Sequence, residues 1–221
     1  MAGSEPSLRE RKKAQTRLLI ADIAMGLFAA RGFEAVTVAE IARKANVSVN
    51  TVFNYFPTKE DLFFDRQAVV EGLLSSVVRG RAPGESAVGA LHRHLLAGFA
   101  AGAWTSGLTE GAAQFARMIE ASPSLRGRER EIRERSEIAL AQTLAAETGA
   151  DPDDPEPAIV AGLIVGARHA LFSEVRRRLL AGQPLSTVRA WAGNAARLAF
   201  DRLEHGVPGY CVRPPADGSS A

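Results

Sequence analysis

Thr37 and Glu40 stand three residues apart at the head of an apolar run, and Thr58 and Asp61 repeat the arrangement. At that spacing a hydroxyl and a carboxylate each accept a backbone N–H left unpaired in a helix's first turn, so these pairs mark helix starts rather than acid–base chemistry. Between them Ser48 is placed to cap a second helix, VNTVFNY. An Asn amide can pair with adenine through a donor and an acceptor at once, and the methyls of Val49 and Thr51 suit a thymine methyl. Ser48, Val49, Asn50, Thr51 and Asn54 are therefore candidate base-reading or phosphate-flanking residues. The other polar groupings offer less. His92 and His94 are two residues apart and diverge on a helix, unlike an i,i+4 ligand pair. Asp151, Asp153 and Asp154 resemble a calcium-loop fragment, but Pro152, Pro155 and Pro157 interrupt it and the loop glycine is missing. No GxSxG, HExxH or phosphate-cradling glycine loop occurs. Hence no catalytic residue, metal site or cofactor is expected.

The candidates need elements to hold them. Val38, Ile41, Ala42 and Ala45 share one face of a helix over about 38–45, Asn46 and Val47 break the pattern, and a second helix spans about 49–55 before Pro57. This is a helix-turn-helix, whose second helix enters the major groove by its N-terminal half while the first crosses the backbone. A preceding helix runs from Leu8 or Arg9 to Arg31, with Gly32 as its stop. A fourth is expected to run unbroken from Thr58 to about Arg79, linking a marginal headpiece core to the rest of the chain. Further helices are expected at about 85–102, 107–120, 125–148, 156–181 and 185–205. The expected organisation is a disordered arm at 1–8, a DNA-binding unit at 9–57, a helical ligand-binding and dimerisation unit at 58–205, and an irregular tail at 206–221.

Composition agrees with an all-α class: the chain is rich in Ala, Leu, Arg and Glu, poor in aromatics and without alternating strand-like runs. A net charge of +2 excludes a general polycation, yet Arg9, Arg11, Lys12, Lys13 and Arg17 face only Glu5 and Glu10 at the N-terminus. Beside a DNA-reading motif that excess suits phosphate contacts. The single cysteine, Cys211, excludes an intrachain disulfide. The longest apolar run, Ala158 to Ala167, is too short for a bilayer and meets Arg168, and no signal-peptide pattern opens the chain, so a soluble cytoplasmic protein is expected. The mixed-charge stretch RGREREIRERSE from Arg126 reads as a solvated helix face.

The segment RGFEAVTVAEIARKANVSVNTVFNYFPTKEDLF resembles the DNA-binding domain of the tetracycline-repressor (TetR) family. Gly32, Phe33, the run from Thr37 to Ile41, Ala42, Ala45, Val47, Ser48, Thr51, Tyr55, Phe56, Pro57, Lys59, Glu60 and Leu62 carry the likeness, which covers about residues 10–65. It implies an all-helical homodimer that regulates transcription, commonly a repressor released from an inverted repeat of double-stranded DNA by a small ligand, cytoplasmic and nucleoid-associated. It also implies backbone contacts near Thr37, Tyr55 and Lys59. Two positions depart from the pattern. Phe53 stands where many relatives carry tyrosine, removing a phenol-to-phosphate bond, and Asn50 stands where a small residue is common. Phe56 reads as core, and Phe53 as either core or interface.

In AIVAGLIVGARHALF the small residues Ala158, Gly162, Gly166 and Ala170 recur every fourth position, which allows close helix contact. Gly162 and Gly166, with Trp191, Ala195 and Leu198 of the last helix, are the candidate dimer seam, with intrachain core as the alternative. Through the resemblance this seam would be a four-helix interface. Phe99, Trp104, Phe115 and Met118 lie among small residues and are candidates for a pocket taking an apolar or amphipathic ligand. Two other readings stay open: a constitutive DNA-binding regulator with a filled core, and a ligand- or protein-binding module that has lost DNA binding.

Overall fold

Side-chain caps set where the first helices begin. The computed structural model describes residues 7–206 as α-helices and one 3₁₀ turn, with no strand among the described residues. Helix α1 (Leu8–Arg31) starts on a Ser7–Glu10 capping box, so Ser7 and Leu8 belong to the helix start and not to an arm. The rest of the expected arm, the tail beyond Gly206 and Cys211 lie outside the described residues. Helix α2 (Val38–Lys44) starts on the Thr37–Glu40 box, α3 (Val49–Tyr55) on Ser48, and α4 (Lys59–Phe63) on the Thr58–Asp61 box. Each cap satisfies backbone donors that such short helices could not leave bare.

The fourth helix is not continuous. It ends at Phe63; Phe64 adopts φ −100° and ψ 47°, and a new helix, α5 (Gln67–Arg79), begins after Arg66. The cause is aromatic packing. Neighbouring side chains on a straight helix diverge by about 100°, yet Phe63 and Phe64 both meet Phe115, at ring distances of 4.4 and 6.1 Å. Leaving the helix after Phe63 lets both rings reach it. The Arg17 guanidinium donates to the Asp65 carbonyl at 2.5 Å and occupies an acceptor that the break exposes.

Beyond the break lie α6 (Ala87–Ala101), a 3₁₀ turn (Trp104–Ser106), α7 (Ala112–Ala121), α8 (Pro123–Thr148), α9 (Glu156–Leu180) and α10 (Leu185–His205). Helix α8 packs between α5 and α9, while α10 packs on α6 and α9. Two apolar clusters result. One, built around Leu74, Leu95, Leu140, Ile164 and Phe200, fills the C-terminal body. The other gathers Ile20, Phe28, Phe33, Ile41, Val52, Phe56 and Phe63 of the headpiece, and it includes Ile119 of α7 and Leu125 of α8. The headpiece core is therefore completed by the body.

The mixed-charge stretch of α8 also differs from a solvated face. Arg128 bonds Asp61 at 2.5 Å and Gln67 at 3.2 Å, Arg135 faces Glu71 at 3.5 Å, and Glu129 pairs with Arg176. Three of its charges thus tie α8 to the helices around it. Asp61 is the most committed, since one oxygen caps α4 while the other holds Arg128. Asp61→Ala removes a cap and strands a partly buried guanidinium, and should cost about 2–4 kcal/mol in chemical denaturation. Glu131→Ala, which removes the exposed second partner of Arg128, should stay within about 0.5 kcal/mol.

Candidate nucleic-acid interface

The α2–turn–α3 unit owes its geometry to a tight corner. Asn46 sits there at φ 55°, a left-handed conformation that asparagine tolerates better than most residues. The Val47 N–H reaches back to the Ala42 carbonyl at 3.0 Å and closes the turn. Ser48 then accepts the Thr51 N–H at 3.0 Å, and the two hydroxyls lie 2.8 Å apart, which fixes the first turn of α3. Val52 is fully buried beneath that helix. The opposite side presents Val49, Asn50, Phe53 and Asn54 to solvent, with Ser48 beside them and Thr51 half-buried. Phe53 is 44% exposed, whereas Phe56 is 1% exposed with the Arg17 guanidinium over its ring at 4.7 Å. The open choice for Phe53 resolves toward the surface. An aromatic ring, two amides and the methyls of Val49 on one exposed face can contact base edges and thymine methyls.

Around this face the charge is positive. Between Ser7 and Lys59 there are nine Lys and Arg against four Asp and Glu, an excess of five, against +2 for the whole chain. Arg9, Arg11, Lys12 and Lys13 are exposed on the first turns of α1, and Arg43 and Lys44 on the end of α2. Such an excess attracts phosphates and releases their counterions.

The backbone-contact candidates are placed differently from one another. At Thr37 the carboxylate of Glu40 takes both the N–H and the hydroxyl, at 2.8 and 2.9 Å. The Arg31 guanidinium at 2.7 Å, followed by the Thr37 bonds, holds the Glu40 carboxyl down at about 2, so this box stays ionised at any working pH. Tyr55 is half-buried against the headpiece core. The Lys59 ammonium lies 4.2 Å from the Phe33 ring centre and 3.5 Å from the Glu34 carbonyl, and so arises from the same corner that packs α1 on α4.

In the body the candidate pocket residues do not converge. Phe99 is buried in the body core with its ring 6.1 Å from Phe172. Trp104 is exposed, with the Arg66 guanidinium 5.1 Å from its ring centre. Phe115 and Met118 pack on the headpiece core instead. The body does contain a cavity of about 20 Å³, walled by α5, α6, α9, α10 and the 3₁₀ turn, and none of these four residues lines it. Space of that size holds about one water. Its polar walls come from His94, a weaker candidate in the sequence, and from Thr105, Ser106 and Arg168, which the sequence reading did not assign to a pocket. A signal was present, because Arg168 interrupts the most apolar run in the chain. The dimer candidates also divide. Gly162 is half-buried, Gly166 and Leu198 stand exposed, and Trp191 and Ala195 pack against the body core, Trp191 beneath the Arg178 guanidinium at 4.2 Å.

The chain is similar to known proteins. Residues 20–65 match the family model for bacterial regulatory proteins of the tetR family, and residues 86–194 match the MftR C-terminal domain. The HTH-type transcriptional regulator TcmR of Streptomyces glaucescens is 31% identical over 154 residues, 67% of this chain and 67% of its own length. The chain belongs to the TetR family. It is a helix-turn-helix transcriptional regulator, and its likeness to relatives extends beyond the headpiece. The regulator LuxR of Vibrio harveyi is 44% identical over 75 residues, 31% of this chain and 33% of LuxR. The TetR-family repressor FadR of Thermus thermophilus, solved with lauroyl-CoA, is 26% identical with a TM-score of 0.54, covering 91% of this chain and 99% of that one.

Two phenylalanines separate surface from core in this TetR-family headpiece. Phe53→Ala should leave stability within about 0.5 kcal/mol while lowering DNA affinity, whereas Phe56→Ala should cost about 3–5 kcal/mol. Denaturant melts beside fluorescence-anisotropy titrations of DNA separate the two effects.

Proposed function

We propose that this protein is a repressor that binds an inverted-repeat operator as a homodimer, in the cytoplasm, and leaves it when a small molecule occupies the C-terminal body. The observation that carries the dimer is the outward side of α9. Ile159 and Leu163 are 57% and 58% exposed, and with Gly166 and Ala170 they recur along one face at helical spacing. Leu198 on neighbouring α10 is 58% exposed. Helix α9 already packs its inner side on α8 and α10, so it is apolar both inward and outward. A helix of that kind in a water-soluble protein is completed by another apolar surface, and in a two-fold arrangement a second copy supplies it. The face needs only Gly162, Gly166 and Leu198 of the expected seam, because Trp191 and Ala195 serve the chain's own core.

A two-fold dimer offers two α3 helices to successive major grooves. Ser48, Val49, Asn50, Thr51, Phe53 and Asn54 then face bases and flanking phosphates, with Thr37, Tyr55 and Lys59 toward the backbone. Ligand control draws support from the break at Phe64–Arg66. Trp104 adjoins the cavity through the 3₁₀ turn and meets Arg66 at that break, so a change in the cavity wall reaches the joint below the headpiece. Weakening DNA binding a hundredfold requires a coupling of roughly 2.7 kcal/mol. The lauroyl-CoA held by FadR supports a ligand-responsive reading in general terms. A constitutive regulator is the second reading, favoured by how small the cavity beside Arg168 is, at about 20 Å³.

In vitro selection on random and genomic fragments should recover an inverted repeat; recovery of single half-sites alone would sink the dimeric reading. Leu163→Asp with Leu198→Asp should yield folded monomers by analytical ultracentrifugation, with operator affinity reduced about a hundredfold or more because half of the phosphate and base contacts are lost. A double variant that stays dimeric places the interface elsewhere. Lys59→Gln should weaken all sequences alike and flatten the salt slope by about one unit.

A further inference from the structure

The cavity in the body carries an unanswered charge. Its apolar walls are Leu73, Leu74, Leu91, Leu95, Ile164 and Phe200, and no Asp or Glu lines it. Into this setting α9 brings Arg168. Its guanidinium lies 4.7 Å from the Phe172 ring centre, and no carboxylate among the described residues is within ion-pair distance of it. The other body arginines of α9, Arg176, Arg177 and Arg178, all have Glu partners, so Arg168 is the exception on its own helix. Arg168 is half-buried, and desolvation lowers its pKa from the ordinary arginine value, the expected response of a cation partly withdrawn from water without an anion. His94 across the cavity offers no compensation. Burial first, then Arg168 and Arg93, hold its imidazole below its usual value and favour the neutral form.

A guanidinium among leucines is costly unless something of opposite sign visits it. We propose that the ligand of this cavity is an apolar molecule carrying one anionic group, a carboxylate or a phosphate, which pairs with Arg168 while its body lies among the leucines and Phe200. The inference rests on the ligand-responsive reading above and specifies its ligand class. Ser106 already donates its hydroxyl to the Ala103 carbonyl, while the Thr105 hydroxyl is a further donor available to an anion. At about 20 Å³ the cavity must widen to accept such a molecule. The wall best suited to yield is the single turn Trp104–Ser106. It hangs between Gly102 and Gly107, both left-handed at φ 60° and 66° and therefore tolerant of backbone rearrangement. Widening there moves Trp104, the residue that contacts Arg66 at the break in the fourth helix.

The test is a charge series of one chain length, octanoate, octyl phosphate, octanol and octylamine, titrated by calorimetry into the full chain. Octanoate or octyl phosphate should bind about tenfold or more tighter than octanol, with octylamine weakest, since a desolvated charge-assisted bond is at stake. The better of the two acids identifies the headgroup. Arg168→Gln should erase the preference for the acids, and Arg168→Lys should keep most of it; thermal melts without ligand report whether each variant folds, and the wild-type series stands without them. Equal binding of octanoate and octanol, preference for octylamine, no binding of any of the four up to millimolar concentration, or an unchanged preference in folded Arg168→Gln each overturn the proposal. Operator release is followed in parallel. Release by octanol alone sinks the anion and keeps the ligand-responsive reading, whereas Arg168-dependent binding of octanoate without release keeps the anion and sinks that reading.

Discussion

The stacking of Phe63 on Phe115, 4.4 Å between ring centres and 17° from parallel, is the contact on which the arrangement of this molecule depends. Three short helices after a long one enclose too little apolar surface to hold a recognition helix rigidly. The headpiece solves this by sharing its core. Phe28 and Phe33 pack on Phe63, Phe63 packs on Phe115, and Ile119 and Leu125 close the same cluster from α7 and α8. Polar ties follow the apolar seam: Gln114 donates to the Ala29 carbonyl and Ser122 to Glu34, each at 2.5 Å. The orientation of α3 is thus a property of the body as well as of the motif.

That shared core also explains the break in the fourth helix. A straight helix would send Phe64 away from the seam, and burying an aromatic ring is worth more than the one or two helical hydrogen bonds lost. The cost is reduced by Arg17, which takes the Asp65 carbonyl while its guanidinium covers Phe56. Burial raises the Asp65 carboxyl pKa, partly offset by Arg66 and Arg17, which marks the joint as a place where charge sits close to apolar packing. A joint held by a few hydrogen bonds and ring contacts responds to energies of a few kcal/mol. Allosteric couplings between ligand and DNA are of that size.

The body uses charge in two ways. Where opposite signs face each other across helices, as Arg128 does Asp61 and Arg176 does Glu129, the pairs lock α8 against α4 and α9. Where the partner is missing, as at Arg168, the same residue type leaves a half-buried positive charge on the cavity wall. The outer side of α9 makes a parallel point in apolar terms: its inner leucines and valines are satisfied within the chain, and Ile159 and Leu163 are left for another surface.

Local chemistry made much of this legible. The capping pairs Thr37–Glu40 and Thr58–Asp61, Ser48, Asn46 at the corner and the apolar spacing around them act within one or two turns, so the residue types alone located the helix-turn-helix. The starts of α9 and α10 and the long span of α8 followed from prolines and glycines for the same reason. What depended on distant partners was not legible. Phe63 and Phe64 look like ordinary helix residues until Phe115, far along the chain, makes both turn the same way. Phe115 and Met118 suggest a pocket until the headpiece is found leaning on them, and Trp191 suggests a seam until Arg178 covers it. Amino-acid types by themselves determined the motif, most of the helices and the family likeness, because caps, turns and periodicity are short-range. Only the tertiary structure decided which apolar side chains are spent on the chain's own core and which charge is left without a partner, because burial and pairing are properties of segments that meet only when the chain has folded.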